Sequence, residues 1–191
     1  LETYGISKLA CLYECQTTKD QFGLDFSYVI PHNFQGKYVN SSSLYRNFIG
    51  IAAREALNER NIPVFGSGEQ SRQFSDIKYL CDPLEKLLYT DCPIVSLGAD
   101  TYYKVIEIAN IIKKIAKKDN KNIDIDFLPE RHEALHSWCS HDLAKKILGF
   151  KDNTDIEKLC YDVYNWIKLS LTHKSKKMKF QINKGLPKGW I

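Results

Sequence analysis

The sequence predicts an α/β fold. Short β-rich runs alternate with amphipathic helical stretches, Gly and Pro mark the junctions between them, and no internal repeat is visible. The first element is a helix over residues 4–20, with Ile6, Leu9, Ala10, Tyr13 and Thr17 at helical spacing and Gly23 beyond its end. Residues 24–30 (LDFSYVI) read as a strand that Pro31 stops. A polar loop follows over His32–Ser43, then a second helix over Leu44–Arg60. Short strands are expected at Pro63–Phe65 and Arg72–Phe74, on either side of a Gly66-Ser67-Gly68 turn.

Residues 77–88 read as a helix and Ile94–Leu97 as a buried strand. The clearest helix is Tyr102–Lys117, whose apolar face carries Val105, Ile108, Ala109, Ile112, Ile115 and Ala116. Ile123–Phe127 alternates like a strand. Helices over Ser140–Leu148 and Thr154–Leu171 close the pattern, with Gly149 suited to end the first of them.

Composition narrows the classes of function. The 191 residues suffice for one large domain or a large piece of one, with an ordinary globular balance of 43% hydrophobic and 26% charged residues. No apolar run reaches the roughly 18 residues of a membrane span, and no signal peptide is apparent at the N-terminus. Six Cys without a C-x-x-C read as free thiols of a cytoplasmic protein. The formal charge of +4 is modest. The basic run His173–Lys179 reads as a solvated tail rather than a nucleic-acid contact.

Three motifs carry possible chemistry. Tyr4 and Lys8 are spaced to share a helix face, where an ammonium stabilises a phenolate and makes the phenol a proton acceptor near neutral pH. Spacing alone does not single this pair out, because Tyr164 and Lys168 repeat it. His132-Glu133-Ala134-Leu135-His136 is a literal H-E-x-x-H. On a helix it would offer two imidazoles to Zn²⁺, with Cys139, His141 or Glu157 as a third ligand, the reading of a zinc hydrolase. Pro129, Glu130 and Arg131 just before it argue for a polar loop or edge instead. Arg72 and Arg131, both in loop-like settings, could clamp a diphosphate as planar forks, although surface Arg paired with carboxylates is the commoner case. Gly66-x-Gly68 lacks the third glycine of a dinucleotide loop, and no G-x-x-G-x-x-G occurs in the 191 residues.

Five blocks in order give the chain a family resemblance. They are Tyr4-Gly5-Ile6-Ser7-Lys8, Pro31-His32-Asn33-Phe34-Gln35-Gly36, Tyr45-Arg46-Asn47-Phe48-Ile49, residues 64–75 (VFGSGEQSRQFS), and Pro129–Glu133 with Ser140–Gly149. Together, over roughly residues 1–170, they resemble the C-terminal portion of an extended short-chain dehydrogenase/reductase, the NAD-dependent sugar-nucleotide epimerase/dehydratase family. The Tyr-Gly-x-Ser-Lys block is closer to its UDP-glucose 4-epimerase branch than to the dehydratases.

The resemblance implies the last strands and helices of a doubly wound Rossmann-type sheet plus a smaller substrate-binding domain. Residues 1–31 would end the NAD-binding domain and carry the catalytic helix. Residues 32–170 would be mostly the nucleotide-sugar domain with interleaved Rossmann elements, and 171–191 a basic tail. Tyr4 would be the general base, and Lys8 would hold the nicotinamide ribose and lower the Tyr4 pKa. Pro31 would line the nicotinamide of NAD. Asn33 and Asn47 would contact the sugar diphosphate, Val64 and Phe65 would offer backbone to the base, and Arg72 and Arg131 would clamp the diphosphate. A UDP-sugar is the expected substrate, and a homodimer through the Tyr4 helix the expected assembly. No metal, membrane or nucleic-acid partner is expected. A 4,6-dehydratase, a reductase, or a non-catalytic nucleotide-sugar-binding fragment are the alternatives. The absent Gly-rich loop leads to the expectation that these residues are part of a longer protein. One departure from the pattern is Tyr79, where the family usually carries Asp.

Overall fold

The computed structural model describes residues 3–40, 47–92 and 94–170. Its elements run α1 (Thr3–Phe22), β1 (Tyr28–His32), β2 (Phe34–Gln35), α2 (Phe48–Leu57), β3 (Ile62–Phe65), β4 (Ser71–Gln73) and β5 (Ser75–Asp76). A 3₁₀ turn (Ile77–Tyr79) leads into α3 (Cys81–Leu87). Then come β6 (Ile94–Gly98), β7 (Tyr102–Lys104), α4 (Val105–Lys118), β8 (Ile125–Leu128), β9 (His136–Ser137), α5 (Asp142–Leu148) and α6 (Ile156–Ser170). The start of the predicted second helix, Tyr45 and Arg46 of the third block, and the basic tail lie outside the described residues.

Parallel pairing dominates. β1 pairs with β6, aligning Pro31 with Leu97 and His32 with Gly98. β3 pairs with β8 and β2 with β5, both parallel. β4 is antiparallel to β7 and parallel to β9. These are the pairings of an α/β fold, as the alternating pattern predicts.

Two apolar clusters hold the elements. The larger packs α2, α4 and α6 over β3, burying Ile49, Ala52, Ile62, Val64, Ile108, Ile112, Leu159 and Tyr164. The smaller surrounds β6 with Val95, Leu97, Leu87 of α3, and Ala144 and Leu148 of α5. Each large aliphatic side chain so buried contributes about 1.5–3 kcal/mol. The Gly149 expectation holds: it caps α5 at φ 62°.

Several boundaries differ from the sequence reading. Pro31 lies inside β1 rather than ending it. Among the described residues β1 pairs only with β6, so a nitrogen without a proton costs no ladder bond on the other side. Tyr102–Lys104 is strand, not the start of the helix. α4 begins at Val105, where the Glu107 carboxylate accepts the Lys104 N–H at 2.7 Å and fixes the N-terminus. The two-residue strands β2, β5 and β9 are too short to leave a periodic signal.

Helix α1 stands apart. None of its residues is buried, and Tyr4, Ile6, Leu9 and Tyr13 are exposed. The Tyr28 hydroxyl of β1 donates to the Lys8 carbonyl at 2.6 Å, and Gly23, at φ 69°, turns the chain from α1 toward β1.

Candidate functional site

Pro31 and Asn33 stand at the carboxyl end of β1, Val64 and Phe65 at that of β3, and Arg131 in the segment after β8. In parallel α/β sheets this edge is where ligands bind, because the connecting loops there are free to carry side chains.

At the end of β3, the Arg131 guanidinium carbon lies 3.2 Å from the centre of the Phe65 ring. Such stacking holds the guanidinium flat on the ring while its edge stays open to acceptors. Val64, just before, is fully buried in the larger core, so its side chain is structural. The Phe65 carbonyl accepts from Gln70 Nε2 at 3.0 Å. Gly66 and Gly68 adopt φ 63° and 77°, which confirms a turn between β3 and β4. A Cβ on Gly68 would come within 2.9 Å of Val64 and Ile106 side-chain atoms.

Arg72 is held from one side by the segment before β9. Its Nη1 donates to the Ser71 and Leu135 carbonyls, and its Nη2 to the Ala134 carbonyl and to Glu133 Oε2 at 3.0 Å. Gln70 Nε2 also donates to Glu133, at 3.3 Å. The fold therefore brings Phe65, Gln70, Arg72, Arg131 and Glu133 into one cluster. Gln70 and Glu133 were not assigned to it from sequence. Gln70 stands in the quoted glycine-turn block, and Glu133 in both the H-E-x-x-H motif and the Pro129–Glu133 block.

That zinc reading is overturned. Residues 132–135 are irregular and His136 begins β9, so the two imidazoles do not share a helix face. His136 Nδ1 lies 2.8 Å from the Ser71 hydroxyl, and Glu133 is committed to Arg72.

Asn33 follows β1 at φ 51°, a left-handed conformation that Asn tolerates. Its Nδ2 donates to the Gln73 carbonyl at 2.6 Å, and its Oδ1 accepts from Gln35. Asn47 precedes α2 and donates to the Phe34 carbonyl at 3.2 Å. Both amides thus adjoin the neighbours of Arg72 and Asn33, although both bond within the protein. Pro31 is exposed near the end of β1.

Tyr4 and Lys8 share a face of α1, with Lys8 Nζ 5.5 Å from the Tyr4 ring centre and Tyr4 69% exposed. The twin motif differs. Tyr164 is buried and its hydroxyl donates to Asp119 at 3.1 Å, while Lys168 pairs with the same carboxylate. Burial and that carboxylate push the Tyr164 hydroxyl well above the ordinary phenol range. The second copy is therefore a structural clasp between α6 and the end of α4.

Comparison with known proteins follows the same lines. The model of the NAD dependent epimerase/dehydratase family matches residues 1–89. GDP-L-fucose synthase from Sinorhizobium fredii is 28% identical over 121 residues, which cover 60% of this chain and 38% of that protein. UDP-glucose 4-epimerase 3 from Oryza sativa subsp. japonica is 34% identical over 89 residues, covering 44% of this chain and 23% of that protein. Among solved structures, UDP-glucose 4-epimerase from Thermotoga maritima superposes with a TM-score of 0.79 at 16% identity, covering 88% of this chain and 54% of that one. UDP-glucuronic acid 4-epimerase from Bacillus cereus gives 0.76 at 18% identity, covering 87% and 52%. The chain thus spans about half the length of the solved structures it matches, and they share its fold. The family model thus matches the first 89 residues, and the solved 4-epimerase structures share the fold of most of the chain.

Proposed function

We propose that this chain carries the proton-transfer pair and the substrate clamp of an NAD-dependent nucleotide-sugar 4-epimerase. The observation that carries the reading is the Phe65–Arg72–Arg131 cluster at the end of β3 and β4, on a chain that also presents an exposed Tyr4–Lys8 pair. Bound NAD would supply reversible hydride transfer at the sugar C4, with Lys8 and Pro31 holding its nicotinamide end. The residues present fit part of its seat: Lys8 beside Tyr4, and Pro31 exposed near the end of a parallel strand. The Gly-rich loop that would cradle its pyrophosphate is not among these 191 residues.

Tyr4 takes the proton from the C4 hydroxyl, with the Lys8 ammonium 5.5 Å from its ring centre. Arg72 and Arg131 hold the diphosphate, with Asn33 and Asn47 beside it. Backbone at Val64–Phe65 receives the base. Residues 1–31 then end the cofactor-binding part, and residues 32–170 mostly bind substrate. The exposed Ile6, Leu9 and Tyr13 support a homodimer through α1. Leu9→Glu is expected to give a monomer on sedimentation, and an unchanged dimer contradicts that assembly. Six free thiols support a reducing, cytoplasmic setting, which cell fractionation tests.

The test is turnover by the full polypeptide carrying these residues, with NAD and UDP-galactose, UDP-glucuronic acid or UDP-N-acetylglucosamine. Epimer formation read by NMR should fall by about 10²–10⁴ in Tyr4→Phe, with substrate binding kept. Turnover that survives Tyr4→Phe contradicts the assignment. The 191 residues alone are expected to bind NAD weakly and turn over little. Robust epimerisation by them alone contradicts that expectation.

The GDP-L-fucose synthase match over 121 residues favours a second reading, a GDP-sugar reductase of the same family. A preference for GDP- over UDP-sugars in binding, with net oxidation of NAD(P)H, would select it.

A further inference from the structure

His32, Cys139 and His141 come from three places in the sequence and meet at one point. His32 closes β1, and its strand partner Gly98 closes β6. Cys139 lies just past β9, and His141 precedes α5. One ring nitrogen from each His and the Cys139 sulfur all lie within 4.8 Å of one another. The Cys139 Sγ to His141 Nε2 separation is 3.2 Å. Glycine at position 98 makes the approach possible. A Cβ there would stand 2.8 Å from His141 Nε2 and 3.0 Å from the His32 Cβ.

The surroundings are those of a held site. Gln73 grips the Cys139 backbone on both sides, accepting its N–H at 2.9 Å and donating to its carbonyl at 3.3 Å. His141 is 2% exposed. Its Nδ1 faces Asp100 Oδ1 at 3.5 Å, too long for a formed hydrogen bond, and Lys145 anchors Asp100 at 2.8 Å. The His32 Nδ1 is buried without a hydrogen-bond partner among the described residues. Unpaired buried imidazole nitrogens are costly, and a ligand that takes them removes the cost.

We propose that His32, Cys139 and His141 bind one Zn²⁺ ion that clips the end of the β1–β6 pair to α5. Two imidazoles and a thiolate are a donor set suited to zinc, and Zn–N of about 2.0 Å and Zn–S of about 2.3 Å place the ligand atoms about 3.3–3.7 Å apart. The present spread of up to 4.8 Å closes by ring rotation. Water completes the tetrahedron. With Nε2 on the metal, His141 Nδ1–H points to Asp100, the carboxylate–histidine–zinc arrangement that fixes a ligand ring. Binding releases the Cys139 thiol proton to solvent. The nearby cations are already engaged, Arg72 by Glu133 and Lys145 by Asp100.

The test uses Co²⁺ as a spectroscopic stand-in, in the full chain with Cys11, Cys15 and Cys81 changed to Ser. One equivalent should produce visible d–d bands and a near-ultraviolet thiolate charge-transfer band, both displaced by Zn²⁺. Cys139→Ser should abolish the charge-transfer band, and His141→Asn should weaken Zn²⁺ binding on the order of 100-fold. His136→Asn should change nothing. No band at one equivalent, or a band that survives Cys139→Ser, overturns the proposal. In the unmutated protein, Zn²⁺ should protect Cys139 from iodoacetamide, read by peptide mass spectrometry. Alkylation of Cys139 undiminished at saturating Zn²⁺ overturns the proposal too, and needs no variant to fold.

Discussion

Arg72 Nη2 donates to Glu133 Oε2 at 3.0 Å, across 61 positions of sequence, and this pair sits where the account places a diphosphate. A carboxylate occupying an anion's place competes with it. Glu133→Gln removes that competing charge while keeping the side chain's size. We predict two- to fivefold tighter binding of a UDP-sugar, about what one partly exposed ion pair is worth. Calorimetric titration of both proteins checks it; weaker binding by Glu133→Gln would show that Glu133 orients the clamp rather than competing with its ligand.

The two Tyr-x-x-x-Lys motifs should respond in opposite ways. Tyr164→Phe loses a hydrogen bond to the Asp119 carboxylate inside the α4–α6 packing and should cost about 1 kcal/mol of stability in denaturant unfolding. Tyr4→Phe touches an exposed ring and should leave the unfolding midpoint unchanged while removing turnover. A loss of stability in Tyr4→Phe would mean that the α1 face is structural.

Glu55 supplies a pH signature. Burial raises its pKa, but hydrogen bonds from Arg60 and Arg54 outweigh that and hold it below the usual carboxylate value. A carboxyl depressed in the folded state stabilises the fold above its unfolded pKa, near 4.5, and loses that contribution as pH falls through the lower folded value. Glu55→Gln should therefore be less stable than the parent at pH 7, with the difference shrinking below about pH 4.5. A difference independent of pH would contradict the ion-pair origin.

Gly68 tests the turn that joins Phe65 to Arg72. Gly68→Ala meets both a left-handed φ of 77° and contacts of 2.9 Å with Val64 and Ile106, so it should destabilise by about 1–3 kcal/mol and weaken nucleotide-sugar binding. Gly5→Ala, with no atom within 4 Å of an added Cβ, is the control and should be neutral or slightly stabilising. Equal stability of the two variants would contradict the turn's role.

What the sequence made legible follows from which signals are local. α4 and α6 are visible because Ile108, Ile112, Leu159 and Val163 repeat at helical spacing toward a common core. Tyr102–Lys104 continues that apolar pattern, so nothing local marks it as β7; its pairing with β4 decides it. In the candidate site, residue types are legible and partnerships are not. Arg72 and Arg131 stand out as arginines beside turns, Arg72 lying in β4 itself, but the stacking on Phe65 and the role of Glu133 exist only once distant segments meet. Likewise Cys139 and His141 read as possible third ligands for His132 and His136. The fold instead brings them to His32, because the chain after Arg131 is not a helix.

The claim nearest the centre is that Arg131, flat on Phe65, and Arg72 bind the diphosphate of a nucleotide sugar. Isothermal titration of UDP-glucose and UDP-N-acetylglucosamine into the parent and into Arg131→Ala and Arg72→Lys tests it most directly. The account predicts saturable binding by the parent and a loss of about tenfold or more in each variant, the worth of a charge-assisted contact to phosphate. Arg131 is exposed, so its variant should fold normally. Affinity unchanged in Arg131→Ala, or a folded parent that binds no nucleotide sugar, would contradict it.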